Sequence, residues 1–237
     1  MKWISHRGFH KDSVENSLDA FDRARDVGFS HIETDLRITR DGHIALVHDR
    51  DMKRVANSPL MVDQSTRAEL ESLTLKQNLR IAFLDQLLDR YLDLDWTFDI
   101  KDTFAPRCIE AIVKISTERK LHEWIEGHVK FLVWQKEHRG IVLRDFPKAK
   151  FYTTIRESQR AGIATLVHLP ECAGIEKSFT YGLPSHFLGF SLFKKYFADE
   201  YHARGAILNA YLPETYAEIK KAEVSGFDEV LTDLAPS

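Results

Sequence analysis

The chain has 237 residues, of which 43% are hydrophobic and 11% aromatic, ample apolar side chain for a sizeable core. A formal net charge of −3 gives no electrostatic reason to expect a nucleic-acid partner, which normally needs a basic face. Two cysteines, Cys108 and Cys172, make at most one disulfide, so reduced thiols are the default and a dense disulfide scaffold is excluded. No apolar run approaches the roughly 18 residues of a membrane span. The first strand begins at the second residue and leaves no room for a signal peptide, so a cytoplasmic protein without a transmembrane segment is expected.

Short β-branched or aromatic runs alternate with helix-length segments, the rhythm of a parallel α/β sheet with crossover helices. Strands are predicted at residues 2–5, 31–35, 96–100, 129–133, 150–154, 187–191, 206–211 and 229–232. The length is close to the ~250 residues typical of one (β/α)8 barrel. Asn16 is placed to cap the first helix, which Gly28 ends, and Gly226 ends the last helical run in the same way. Asp41-Gly42 separates 36–39 from 43–47 and marks a hairpin turn. Pro170, Gly174, Gly182 and Pro184 make 156–185 the least regular stretch. No linker or repeat divides the chain, and residues 1–237 read as one domain.

Unusual chemistry gathers at the ends of the early strands. The first runs into His6-Arg7-Gly8, the second ends in Glu33-Thr34-Asp35, the hairpin ends in His48-Asp49, and the third strand ends in Asp99-Ile100-Lys101. Strand side chains alternate between faces, so Glu33 and Asp35 share one face, as do Asp99 and Lys101. Carboxylates crowded on an interior face are costly unless a cation lies among them, and hard oxygen ligands suit Mg²⁺ or Ca²⁺. Two imidazoles supply general acid and base near neutral pH, while Arg7 and Lys101 suit phosphate oxygens. Each piece alone is ordinary. An E-x-D is common at a half-exposed strand, and a lone histidine is more often structural than catalytic. Co-occurrence at successive strand ends points to phosphoryl transfer. His10, His31 and His43 lie nearby and are read as surface or packing residues.

Ile4-Ser5-His6-Arg7-Gly8, Val14-Glu15-Asn16-Ser17, Ile32-Glu33-Thr34-Asp35, Thr39-Arg40-Asp41-Gly42 and Val47-His48-Asp49 together resemble the signature of the glycerophosphodiester phosphodiesterase family. That signature reads H-R-G, P-E-N-T, E-x-D, T-x-D-G and H-D. Phe98-Asp99-Ile100-Lys101 stands where the family has E-I-K, Ala82-Phe83-Leu84-Asp85 where it has P-T-L-E, and Gly226-Phe227-Asp228 with Leu231-Thr232-Asp233 resembles its closing G-x-D and T-D.

The resemblance implies a TIM (β/α)8 barrel with a small β-hairpin insertion after the second strand. It also implies metal-dependent hydrolysis of a small-molecule glycerophosphodiester to glycerol 3-phosphate and an alcohol. Carried over by residue, His6 and His48 are the acid–base pair, and Arg7 and Lys101 hold the phosphate. Glu33, Asp35 and Asp99 bind one divalent cation, Mg²⁺ or Ca²⁺, with Glu15 and Asn16 in support. The chain departs from the pattern at Asp99, one methylene shorter than the usual Glu but shared with sphingomyelinase D-like relatives. Val14 replaces a proline, Val133-Trp134 replaces Ser-Phe, and Asn209 replaces a Trp with Tyr211 nearby. Trp134, Phe190, Asn209 and Tyr211 are therefore expected to shape the substrate pocket. Two other readings stand beside this one: lysophospholipase D or sphingomyelinase D-like action on a lipid, and a non-catalytic barrel binding phosphodiesters or a partner.

Overall fold

A computed structural model describes residues 1–236. The strands, in chain order, are β1 (Lys2–His6), β2 (His31–Ile38), β3 (Ile44–Leu46), β4 (Asp95–Ile100), β5 (Val129–Val133), β6 (Lys150–Phe151), β7 (Thr180–Leu183), β8 (His186–Phe187), β9 (Phe190–Ser191), β10 (Ile207–Tyr211) and β11 (Glu229–Thr232). Hydrogen-bonded order is β6-β5-β4-β2-β1-β11-β10-β7, parallel throughout. A parallel bridge between Tyr152 and Thr180 joins the two ends. The result is a TIM barrel, with crossover helices outside it.

Alternation sorts the strand residues into two populations. Ile32, Trp96, Phe98, Ile100, Phe131 and Val133 pack with Phe21, Leu87, Ile109 and Ile112 of the surrounding helices. Tyr181, Leu208, Ala210 and Val230 do the same with Phe197, Ile219 and Ala222. At roughly 1.5–3 kcal/mol for each large apolar side chain, this outer layer supplies most of the drive to fold. The alternate positions carry polar residues. Lys130 Nζ donates to both oxygens of Glu229 at 2.7 and 2.8 Å, the Tyr152 hydroxyl donates to Glu229 at 3.3 Å, and Asn209 Nδ2 donates to that hydroxyl at 3.3 Å. A buried ion pair of this kind is tolerated because its charges balance and its lone pairs are met.

Several expectations need correction. The barrel strand placed at 187–191 lies at β7 instead, and 187–191 falls within the antiparallel β8–β9 hairpin outside the barrel. Gly182 and Pro184 read as breakers, but Gly182 belongs inside β7, where an added Cβ would meet the Tyr211 ring at 3.5 Å. The strand expected over 150–154 stops at Phe151 because Thr154 turns to cap the helix Ile155–Leu166. That helix occupies much of the stretch judged least regular, and its capping box pairs Thr154 with Glu157.

The first helix, Leu18–Asp26, is capped by Ser17, whose side chain accepts from Ala20 N–H, and not by Asn16. Gly28 and Gly226 follow their helices at positive φ, as expected. The hairpin of β2 and β3 is present, and the insertion it opens is larger than a hairpin. Short helices follow it, and Met52, Val55, Val62, Leu70 and Phe83 close a separate apolar cluster with Ala45 and Val47. No helix among the described residues is long and apolar enough to cross a membrane.

Candidate active site

The first turn sets the geometry. Arg7 has φ 57°, a left-handed conformation that costs a non-glycine residue on the order of 1 kcal/mol. It turns the Arg7 N–H onto Glu33 Oε2 at 3.1 Å. Gly8 follows at φ 79°, where a Cβ would sit 2.8 Å from the Ala20 carbonyl, so the turn rests directly on the first helix and admits only glycine. Asn16, also at φ 57°, donates to Asp35 Oδ2 at 2.8 Å and accepts from Thr34 Oγ1 and Asp35 N–H. It orients an acid rather than a helix.

Glu33, Asp35 and Asp99 each bring a carboxylate oxygen within 4.8 Å of the others, and all three are buried. Lys101 Nζ lies 2.6 Å from Asp35 Oδ1 and 2.5 Å from Asp99 Oδ2, and the Arg7 guanidinium lies 3.0 Å from Asp35 Oδ2. Three carboxylates thus face two cations. Burial, then Asp35 and Asp99, push the Glu33 carboxyl well above its ordinary range. Burial likewise raises Asp99 against the pull of Lys101. For Asp35 burial acts upward, but Lys101 and Arg7 outweigh it and hold the carboxyl below its usual range. The unmatched negative charge and an all-oxygen donor set fit a hard divalent cation.

Each histidine has a carboxylate on Nδ1. His6 pairs with Asp233 Oδ1 at 2.9 Å and His48 with Asp49 Oδ1 at 2.8 Å. An ionised carboxylate there accepts a hydrogen bond from Nδ1–H, which keeps the proton on Nδ1 and leaves Nε2 as the free ring nitrogen. Glu15 is clamped by Arg54 through two 2.7 Å bonds and accepts from Arg7 at 3.1 Å, which braces the Arg7 guanidinium. Arg54 also reaches Asp49 at 2.6 Å, linking the two loops.

His6, Arg7, Glu33, His48, Asp99 and Lys101 line one cavity of about 340 Å³, near the lower end of small-molecule pockets. Asp35 lies beneath them, fully buried. Trp134 and Tyr211 line this cavity; the Trp134 indole donates to Asp99 Oδ1 at 2.8 Å and its ring lies 5.2 Å from Lys101 Nζ. Two expected pocket residues are elsewhere. Asn209 is wholly buried against Tyr152 below the cavity, and Phe190 is 58% exposed on the β8–β9 hairpin, where its neighbour Phe187 takes the lining position. His31 is buried against Thr97 Oγ1, and the half-buried His10 bonds to the Gly8 carbonyl. Sequence reasoning assigned no role to Asp233 or Arg54. The Thr-Asp motif marked the first. The second is 39 residues from Glu15, and no local pattern announces that pairing.

The barrel with acids at the C-terminal ends of its strands has the architecture of a TIM-barrel enzyme. The model of the glycerophosphoryl diester phosphodiesterase family matches residues 6–235, and the chain belongs to that family. A glycerophosphodiester phosphodiesterase of Caldanaerobacter subterraneus subsp. tengcongensis is 39% identical over 70 residues, covering 30% of this chain and 29% of the relative. Among solved structures, the glycerophosphoryl diester phosphodiesterase domain of a Mycobacterium tuberculosis protein matches with TM-score 0.82 at 15% identity, covering 98% of this chain and 95% of that one. An Oleispira antarctica phosphodiesterase in complex with the product sn-glycerol-3-phosphate matches with TM-score 0.73 at 18% identity, covering 99% and 94%.

Proposed function

We propose that the protein is a divalent-metal-dependent phosphodiester hydrolase that cleaves glycerophosphodiesters to glycerol 3-phosphate and an alcohol. The observation carrying this is the convergence of three buried carboxylates, two carboxylate-paired imidazoles and two cations on one cavity. Family membership and a relative in complex with sn-glycerol-3-phosphate support the same reading.

Arg7 and Lys101 neutralise the diester's phosphoryl oxygens. A cation held by Glu33, Asp35 and Asp99 would stabilise the charge that builds on phosphorus-bound oxygens in the transition state. One imidazole takes the proton of the substrate's own glycerol hydroxyl, whose oxygen bonds to phosphorus. The other gives a proton to the departing alcohol oxygen as its bond to phosphorus breaks. Reversed roles then let water open the cyclic phosphate to the monoester. Each imidazole needs its Nε2 free for these transfers, and the Nδ1 bonds to Asp233 and Asp49 provide that.

The test is turnover of glycerophosphocholine across a metal titration. Exhaustive chelation should abolish choline release and Mg²⁺ or Ca²⁺ should restore it; full activity in the metal-free protein would overturn the metal mechanism. Asp99→Asn should weaken metal-dependent activity most, with Asp99→Glu milder because it keeps a carboxylate and matches the residue usual in the family. Wild-type rate and metal response in Asp99→Asn would remove Asp99 from the ligand set.

A further inference from the structure

Three acids share one end of the cavity, and each needs the plane of its carboxylate held if it is to bind a cation. The last torsion of an Asp or Glu side chain is broad, so hydrogen-bond donors must fix that plane. Glu33 Oε2 accepts from the Arg7 backbone N–H at 3.1 Å, and Asp35 Oδ2 accepts from Asn16 Nδ2 at 2.8 Å. Asp99 Oδ1 accepts from Trp134 Nε1 at 2.8 Å. One uncharged donor thus serves each acid. The cations are divided among several partners instead. Lys101 Nζ lies between Asp35 Oδ1 and Asp99 Oδ2, and the Arg7 guanidinium between Asp35 and Glu15.

Trp134 is placed for this contact and not for packing. Trp3, Trp96 and Trp124 all pack into the apolar core, whereas Trp134 is 42% exposed and joins none of the buried clusters among the described residues. It follows β5 directly, and the β4–β5 register pairs Asp99 with Leu132 and Ile100 with Val133. One further step sets Trp134 level with Lys101. The contacts that hold its ring there are polar: the N–H bond to Asp99, and the Lys101 ammonium 5.2 Å from the ring centroid. Two donors do not exhaust Asp99. Each carboxylate oxygen has two lone pairs, so the indole on Oδ1 and the ammonium on Oδ2 leave one on each for a cation.

We infer that Trp134 is a positioning residue of the metal site, its indole N–H holding the Asp99 carboxylate for ligation, given the metal reading proposed above. Its role moves from the shape of the substrate pocket to the affinity for the ion.

The test reads ion affinity apart from turnover. Ca²⁺ and Mg²⁺ are titrated by calorimetry into the metal-free protein without substrate. Trp134→Phe keeps an aromatic ring beside Lys101 and removes the N–H. It should raise the Kd for the ion about 10–100-fold, the usual range for a group that orients a metal ligand. The KM for glycerophosphocholine at saturating ion should change less than about twofold, because substrate binding is not what was removed. Unchanged ion Kd in Trp134→Phe, with or without a rise in KM, would overturn the positioning role and leave the metal reading standing. If the unaltered protein binds neither ion, both fall together.

A second measurement keeps the indole in place. In proton–nitrogen correlation spectra of the four tryptophan side chains, one indole signal should move when Asp99→Asn changes its acceptor, and the same signal should move when Ca²⁺ is added to the unaltered protein. Trp96 and Trp124 donate to the Tyr91 and Leu92 carbonyls, which precede β4 at the opposite end of the barrel, and their signals should stay still. Indole signals unmoved by both changes would overturn the positioning role.

Discussion

The two sides of this barrel are built differently. From β1 through β5 the parallel strands are five to eight residues long, and the β2–β4 register runs unbroken from His31–Asp95 to Leu36–Ile100. On the other side β6 has two residues, β7 has four, and one bridge joins them. Every acid, imidazole and cation of the candidate site except Asp233 comes from the first side or from the loops it carries. Dense pairing keeps like-charged carboxylates at fixed separation, which a site of three acids requires. Sparse pairing leaves room, and Ile155, Ile163, Leu183 and Phe187 give the cavity an apolar wall there. The charged residues of the candidate site and the apolar wall of its cavity thus come largely from different halves of one sheet.

The largest effect expected from this division falls on the well-paired side. His6→Ala and His48→Ala should each lower kcat by roughly 10²–10⁴-fold with the thermal midpoint nearly unchanged, since neither ring is central to packing. Near-normal kcat in either variant would take that histidine out of the acid–base role.

A second experiment asks whether charge burial on this side always serves chemistry. The Lys130–Glu229 pair sits under the cavity with its charges matched, unlike the acid cluster above it. Lys130→Met strands a buried carboxylate and should cost about 3–5 kcal/mol in denaturant unfolding, while the folded fraction keeps its kcat. Lys130→Met with Glu229→Gln should recover much of that loss. A large fall in kcat for folded Lys130→Met would erase the distinction between floor and site.

The smallest effect belongs to the seam side. Glu157 accepts from Thr154 in the capping box and pairs with Arg139. Burial acts upward on its carboxyl, but Arg139 and Thr154 outweigh it and hold the pKa below the ordinary range. Its contribution is therefore full above the ordinary glutamate value of about 4.3 and fades as pH falls through the lower folded value. Hydrogen exchange, corrected for its intrinsic pH dependence, should show the helix Ile155–Leu166 loosening in that acid window ahead of β2 and β4. Simultaneous loosening would mean the seam is no weaker than the rest.

Sequence made the well-paired side readable because its information is local. H-R-G, E-x-D and H-D each carry their chemistry within two or three residues, and strand alternation says which side chains meet. The seam side resisted for physical reasons. A two-residue strand leaves no periodic pattern, and Gly182 inside β7 imitates a turn while it makes space for Tyr211. Phe190 and Ser191 have the composition of a strand end, but only Phe187, paired directly opposite Phe190 in that hairpin, reaches the cavity. Asn209 was legible as a departure from the family pattern but not as part of the floor, since its partner Tyr152 is 57 residues away. Asp233 and Arg54 act through contacts that close only when the barrel does.

The two cysteines have contrasting surroundings. Burial pushes the Cys108 thiol up to about 12 and shields it inside the core, whereas Cys172 is exposed. Cys172 shares a surface depression with Gln159 and Ile163, two residues that also line the candidate-site cavity. The unmodified chain therefore carries a single attachment point for a thiol-reactive fluorophore, beside the helix whose inner face borders the cavity. Ligand occupancy could be followed as an emission change in solution, with no engineered cysteine and no alteration of the candidate-site residues.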